Sequence, residues 1–310
     1  MASQTQIRQQ ITDQFVEALQ AGGIPPWRKG WACQSGGLPA NLVSKRRYSG
    51  VNVLLLQLAA ARHGFSSRYW ATFNQIKALG GAVRRRPDNV PPGRWGATVV
   101  FFKPVTKTEI DPDTGREVEV GFPILRAYTV FNLDQAEGTR LDRFRTPIVP
   151  TIGDFTAFEP AERAIEVTGA DIRHGGDRAF YHKPIEGGGD FIRLPHKFQF
   201  EAEKEYYATA LHELAHWSEV RVGWTGSYAL GELRAEIAAS FLLAELGVPQ
   251  SDDLTNHQAY VAEWLKALQS DSRCIFQTST SASKAADFIL SFSHPTEVEP
   301  GEEPEALLVG

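Results

Sequence analysis

The sequence predicts an α+β protein of two domains, a basic one followed by an acidic one. Three observations carry this. The chain has 310 residues, enough for two separate cores. Helical stripes and short alternating strands occur in both halves. The charge is also split by position. Residues 1–145 hold 20 Lys and Arg against 11 Asp and Glu, while residues 146–310 hold 12 against 26. A net charge of −5 therefore divides into +9 and −14. In residues 1–108 the bias is sharper, 15 basic against 3 acidic. Such asymmetry points to a nucleic-acid surface on the basic half, with the acidic half turned away from phosphate.

The composition is that of a soluble globular protein, 42% apolar and 22% charged. No apolar run reaches membrane-spanning length, and Met1 to Gln10 is polar, without a signal-peptide core. A cytoplasmic protein with no membrane partner is expected. Cys33 and Cys274 are isolated thiols that form neither a redox motif nor a disulfide scaffold.

In the basic half a first helix is expected from Gln4 to Gln20, with Ile7, Ile11, Phe15 and Ala18 on one face and Gly22-Gly23 ending it. A rigid loop, Ile24 to Trp31, carries Trp27, Arg28, Lys29 and Trp31. Lys45-Arg46-Arg47-Tyr48 precede a helix from Val51 to His63 that closes at Gly64. Tyr69-Trp70 lead into Thr72-Phe73-Asn74-Gln75, a capping box for a short helix ending at Gly80-Gly81. Lys77 and Arg84-Arg85-Arg86 add charge. Ala97 to Phe102 and Leu125 to Asn132 read as strands around a polar, hairpin-like excursion at Asp111 to Gly115.

Basic residues interleaved with aromatics suit single-stranded nucleic acid, because cations follow phosphates while ring faces stack bases. The candidate DNA-binding residues are Trp27, Trp31, Arg46, Arg47, Tyr48, Trp70, Lys77, Arg84, Arg85 and Arg86. Burial in a core is the alternative role for each tryptophan. No helix-turn-helix or zinc-finger signature is present, which argues against sequence-specific duplex reading.

Asp134 to Pro160 is rich in Pro, Gly, Thr and charge and reads as the connection. The expected domains are 1–140 and 161–292, with 141–160 as linker and 293–310 as a Pro- and Glu-rich flexible tail. In the second domain Ala161 to Thr168 is a helix, and Ile172, Ala179 to Tyr181 and Asp190 to Pro195 are short strands. Helices are expected at Tyr206 to Val220, Gly231 to Leu246, His257 to Leu268 and Ser283 to Ser291.

The first of these four helices contains His212-Glu213-Leu214-Ala215-His216. Histidines at i and i+4 stand on one helix face and can hold one metal ion, while Glu213 reaches a water on it. A third ligand is needed. The metzincin route is closed, because Glu219 and Val222 occupy its Gly and His positions and Met1 is the sole methionine. The other route is a glutamate on the next helix, where Leu230, Leu233, Ile237, Phe241 and Ala244 form a stripe and Glu232 and Glu236 lie on a neighbouring face. This resembles the gluzincins. Carried over, the resemblance makes Glu232 the ligand and Glu236 the acid that fixes a histidine tautomer, with the reverse assignment open. Zinc is the default ion, and manganese or another divalent ion is also compatible with the ligands. Glu213 would be the general base, with Tyr228 a candidate oxyanion stabiliser. In zincins the strand preceding the His-Glu helix lies along the substrate cleft, so Asp190 to Pro195 is the expected edge.

Taken together, the motifs resemble the plasmid antirestriction ArdC family. They include Pro26-Trp27 through Trp31, Leu38-Pro39-Ala40-Asn41, Tyr48 to Leu55, Trp70 to Gln75, Leu79-Gly80-Gly81 and Val99 to Phe102. Tyr128 to Asn132, Tyr206-Tyr207, His212 to Trp217, Tyr228-Ala229, Glu232-Leu233, Ala235-Glu236, Tyr260 and Trp264 continue the match. Ser218 to Trp224 departs from the family pattern, and the Arg84 to Arg94 loop is long. The resemblance implies an N-terminal single-stranded-DNA-binding domain shared with TraC-type primases and a C-terminal zincin-like metallopeptidase domain. It also implies protection of incoming plasmid DNA from host restriction during conjugation. A protein substrate in the restriction or conjugation machinery is one implied partner. The alternative is a DNA-coating protein whose metal site is structural or vestigial, with no proteolysis.

Overall fold

The computed structural model describes residues 3–20, 37–110, 116–145, 158–184, 188–200, 202–249 and 258–293. Helix α1 (Gln4–Gln20) starts on a reciprocal cap, in which Gln6 N–H donates to Ser3 Oγ and Ser3 N–H to Gln6 Oε1. It buries Ile11, Phe15 and Leu19. Strand β1 (Ala40–Asn41) leads to α2 (Val51–His63), which is buried on almost every side. Gly64 closes α2 at φ 70°, a left-handed cap that glycine adopts without steric cost. Strand β2 (Tyr69–Thr72) runs into α3 (Phe73–Ala78) through the Thr72–Gln75 capping box. Strand β3 (Ala82–Val83), the long hairpin β4 (Ala97–Ile110) and β5 (Glu117–Asn132), and β6 (Ala136–Glu137) complete this half.

The main sheet has the order β1-β2-β5-β4, and β3 pairs with β6 beside it. The hairpin runs well past the expected strand ends, from Ala97 opposite Val130 to Ile110 opposite Glu117. Its prolines, Pro104 and Pro123, face each other where the ribbon has left β2, so neither interrupts a third strand. Residues 111–115 lie outside the described residues. Asn52 of α2 donates to Val100 O and accepts from Val100 N–H, both at 2.8 Å, and so satisfies the outer edge of β4.

Part of the expected linker is folded. Asn132 and Gln135 form a capping box on the 3-10 turn Leu133–Gln135, and Asp134 accepts from Ser66 N–H and Ser67 N–H. A second turn, Asp142–Phe144, is closed by Arg145 donating to Leu133 O and Ala136 O. These polar side chains bind backbone groups, so a segment of loop-like composition is ordered.

In the second half, α4 (Glu159–Val167) precedes β7 (Ile172–His174), β8 (Phe180–His182) and β9 (Phe191–Leu194). Their order is β7-β9-β8. The strand expected at the edge is therefore central, and β8 is the antiparallel edge strand. Helices α5 (Glu203–Arg221), α6 (Tyr228–Glu245), α7 (Gln258–Ser270) and α8 (Cys274–Ser291) follow. Helix α5 is not one-sided as expected. It buries residues around its circumference, including Glu213 and Glu219. Helix α8 begins at Cys274, well before the expected Ser283. Its first turns are rich in Ser and Thr, weak helix formers, and tertiary burial holds them. Ser279 Oγ donates to Ile275 O within the helix.

One apolar cluster runs from α1, α2 and the main sheet into α5, α6 and α8. Polar ties reinforce it: Gly37 N–H donates to Ala244 O, Gly50 N–H to Ser283 Oγ, and Arg47 pairs with Glu245 at 2.6 Å. A second, smaller core of Leu42, Ala71, Ile76, Leu133, Ala136 and Leu141 lies on the other face of β2. Among the described residues no helix is long and apolar enough to cross a membrane.

Candidate metal centre and nucleic-acid surface

The spacing of His212 and His216 on α5 brings their Nε2 atoms to 3.2 Å. Helix α6 delivers Glu232 to the same point, with its carboxylate oxygens 3.5 Å from each Nε2. Ligands held about 2.0–2.1 Å from a tetrahedral ion stand roughly 3.3–3.4 Å apart. The spacing and the two-imidazole, one-carboxylate donor set both fit a divalent metal. Among the described residues this is the one group of three or more His, Cys, Asp or Glu side chains so placed. The approach of the helices depends on Gly231, where a Cβ would come within 3.3 Å of Glu219 Oε1 and 3.6 Å of Trp224 Nε1.

Each imidazole has a carboxylate behind it. Glu236 Oε2 lies 3.4 Å from His212 Nδ1, and Glu219 Oε1 lies 2.8 Å from His216 Nδ1. Such acids orient a ligating ring and raise its basicity. Glu219 is 4% exposed and is itself paired with Lys183 at 3.0 Å. In the sequence Glu219 serves only to exclude the metzincin pattern. Its position three residues after His216, on the same helix face, is the signal that could have found it. Arg234 has no such signal. Fully buried, it donates at 2.9 Å to Ser281 Oγ, Ala215 O and Ser218 Oγ, tying α6 to α8 and to the turn of α5 that holds His216. Burial lowers its pKa to about 10, against the pull of Glu219.

The electrostatics follow from this crowding. Burial disfavours charge on His212, but Glu232 and Glu236 outweigh it and push the pKa up to about 10. Burial likewise opposes charge on His216, and Glu219 and Glu232 raise it. Burial alone would raise Glu232, and the two histidines instead hold it well below the usual carboxylate range. Glu213 behaves differently. Burial raises its pKa, with His212 and His216 pulling the other way. It is 7% exposed, and the Tyr181 backbone on the edge strand β8 also draws its pKa down. That strand is tied to the end of α5 through Asp190, which accepts from Tyr181 Oη at 2.8 Å and from both terminal nitrogens of Arg221. Tyr228 begins α6, four residues before Glu232, and is 71% exposed.

The basic half departs from the expected surface. Trp70 is 1% exposed and Tyr48 3%, both in the main core. Trp70 packs edge-on against Phe65, and Tyr48 lies tilted against Phe101. Strand alternation explains the first, because Tyr69 and Ala71 face the small core and Trp70 the large one. Neither can offer a ring face to a base. Trp27 and Trp31 lie outside the described residues. Arg46, Lys77, Arg84 and Arg85 are exposed. Arg47 is engaged by Glu245, Arg84 lies 3.9 Å from Glu137, and Arg86 donates to Pro87 O and Val90 O.

A model described as the N-terminal domain of anti-restriction factor ArdC matches residues 5–131, and one described as a zincin-like metallopeptidase matches residues 159–281. Fold and site thus define a two-domain protein with a zincin-like metallopeptidase domain. The chain belongs to the ArdC family of antirestriction proteins. It is similar to the antirestriction ArdC protein from the R388 plasmid, solved metal-free (TM-score 0.70) and with Mn(II) bound (TM-score 0.69). In both comparisons the identity is 34%, covering 94% of this chain and 99% of that one. Protein y4eC of Sinorhizobium fredii is 32% identical, covering 92% of each chain. DNA primase TraC of Escherichia coli is 36% identical over 92% of this chain, which spans only 27% of the primase.

Proposed function

We propose that this chain is an antirestriction protein that binds single-stranded DNA without strong sequence preference and carries a metal-dependent peptidase site. In this reading it protects incoming plasmid DNA from host restriction during conjugation. The observation that carries the peptidase is the buried Glu213 beside three convergent ligand atoms. A site that only held a metal would have no use for that carboxylate. His212, His216 and Glu232 would hold the ion, zinc by default and manganese as the alternative. When bound, the ion supplies Lewis acidity at a peptide carbonyl and lowers the pKa of a water. Glu219 and Glu236 hold the two Nδ1 atoms and so keep both Nε2 atoms aimed inward. Glu213 Oε takes a proton from the attacking water and returns it to the leaving amine nitrogen. Tyr228, exposed at the start of α6, is the side chain offered to a developing oxyanion. The edge strand β8, packed against α5, supports a substrate lying beside it in extended form.

The DNA-binding reading is supported by the charge split, the ArdC N-terminal domain and the similarity to TraC primases. The test is to incubate the full chain with candidate restriction and conjugation proteins, with and without metal and single-stranded DNA. Cleavage that requires metal is the expected result. DNA binding without cleavage of any candidate would favour a DNA-coating protein with a structural site.

A further inference from the structure

In the basic half three cations from three separate segments converge on two aromatic rings. After β1 the chain turns tightly. Asn41 Oδ1 accepts from Val43 N–H and Ser44 N–H at 3.0 Å, and Lys45 N–H donates to Asn41 O at 3.0 Å. The turn forces Lys45 to φ 62°, and among the described residues it is the one non-glycine with positive φ. A lysine in the left-handed region is strained where glycine would not be, and such strain marks positions held for use. Here it places Nζ between two rings, 4.3 Å from the centroid of Tyr69 and 4.1 Å from that of Phe144.

Two more cations share these rings. The Arg68 guanidinium lies 5.3 Å from the Tyr69 centroid, and that of Arg143 lies 4.7 Å from Phe144. Both rings are half-buried against the small core, which fixes them. Burial and then the charges of Arg68 and Arg143 lower the pKa of Lys45, so the three groups repel one another. An arrangement that gathers repelling cations on a rigid aromatic base is relieved by an anion. Past the far end of β2, about 13 Å along an extended chain, Phe73 stands 55% exposed at the start of α3. Lys77 lies four residues on, on the same helix face.

We propose that Lys45, Arg68 and Arg143, seated on Tyr69 and Phe144, form a phosphate subsite for single-stranded DNA, with Phe73 as the neighbouring base-stacking face. The proposal rests on the reading that this chain binds single-stranded DNA. The cations cover the ring faces of Tyr69 and Phe144, so this point reads the backbone, and base contact falls to Phe73.

Anisotropy of a labelled oligothymidylate, titrated with the full chain across a salt series, tests it. Lys45→Gly removes the cation and relieves the backbone. It should weaken binding about fivefold or more and reduce the salt slope by roughly 0.7 for each lost phosphate contact, with a melting temperature unchanged or raised. Lys45→Gln/Arg143→Gln should weaken binding further without unfolding. The subsite is refuted if both variants bind within about twofold of the unmodified chain, or if binding falls only where the melting temperature has fallen. Equal affinity for the oligothymidylate annealed to its complement refutes it too. If the unmodified chain binds no oligonucleotide, the single-stranded-DNA reading itself fails and the subsite with it.

Discussion

The metal centre and the basic half are built in opposite ways. At the metal centre the chemistry comes from two adjacent helices, and each histidine has a buried acid behind it. In the basic half the charge is clustered in the sequence. Some of it is already engaged: Arg47 by Glu245, Arg84 by Glu137, and Arg86 by the Pro87 and Val90 carbonyls. The cations that do converge, Lys45, Arg68 and Arg143, lie far apart in the chain. Helical spacing brings neighbours in sequence together by geometry alone, whereas a site made by turns depends on the whole lobe.

The largest expected effect is at the metal. Glu232→Ala should lower affinity for a divalent ion by about a hundredfold or more, because on the proposed assignment it removes a ligand rather than a supporting acid. Titration of the metal-free protein with zinc or manganese measures it. Unchanged affinity there, together with loss in Glu236→Ala, would exchange the two roles.

The next effect separates core from surface in the basic half. Trp70→Ala should destabilise the protein by about 3–5 kcal/mol, as removal of a large buried ring does. Thermal unfolding would register this as a clear fall in melting temperature. A variant that melts normally but loses DNA affinity would return Trp70 to the surface.

A smaller change is expected at the supporting acids. Glu219→Gln should reduce metal affinity about 10- to 100-fold, the usual cost of losing a partner behind a ligand. An effect below about threefold would leave Glu219 only a structural role, with Lys183 as its partner.

The smallest effect concerns pH. Without metal, His212 is held protonated up to about 10 by Glu232 and Glu236, despite its burial. A metal must displace that proton, so affinity should rise with pH, by up to about tenfold per unit for each proton released. Calorimetry in buffers of different ionisation enthalpy counts the protons. The sign for stability is the reverse: the raised pKa favours the metal-free fold below about 6.5, and that contribution is lost as pH rises toward 10.

Much of this is legible in the sequence where local chemistry decides. Gly64 and the Thr72–Gln75 box mark the end of α2 and the start of α3, because caps satisfy backbone groups that any helix exposes. His212, Glu213 and His216 are legible for a related reason, lying within five residues of one helix with the histidines at i and i+4. What is not legible depends on tertiary contact. The early turns of α8 are helical through burial, and Asp134 to Arg145 is ordered by side chains reaching Ser66, Leu133 and Ala136. Tyr48 and Trp70 look like interleaved aromatics in the sequence, but the fold turns them into the core. Lys45 gives no signal of its own, since its strain and its rings exist only once the turn has formed.

The most direct test of the central claim is Glu213→Gln, read for metal content and for hydrolysis of whichever protein the unmodified chain cleaves. The side chain keeps its shape but no longer takes a proton, so metal binding should persist while hydrolysis falls by roughly 10²- to 10⁴-fold. Full hydrolysis in that variant would contradict the assignment of Glu213 as the proton carrier.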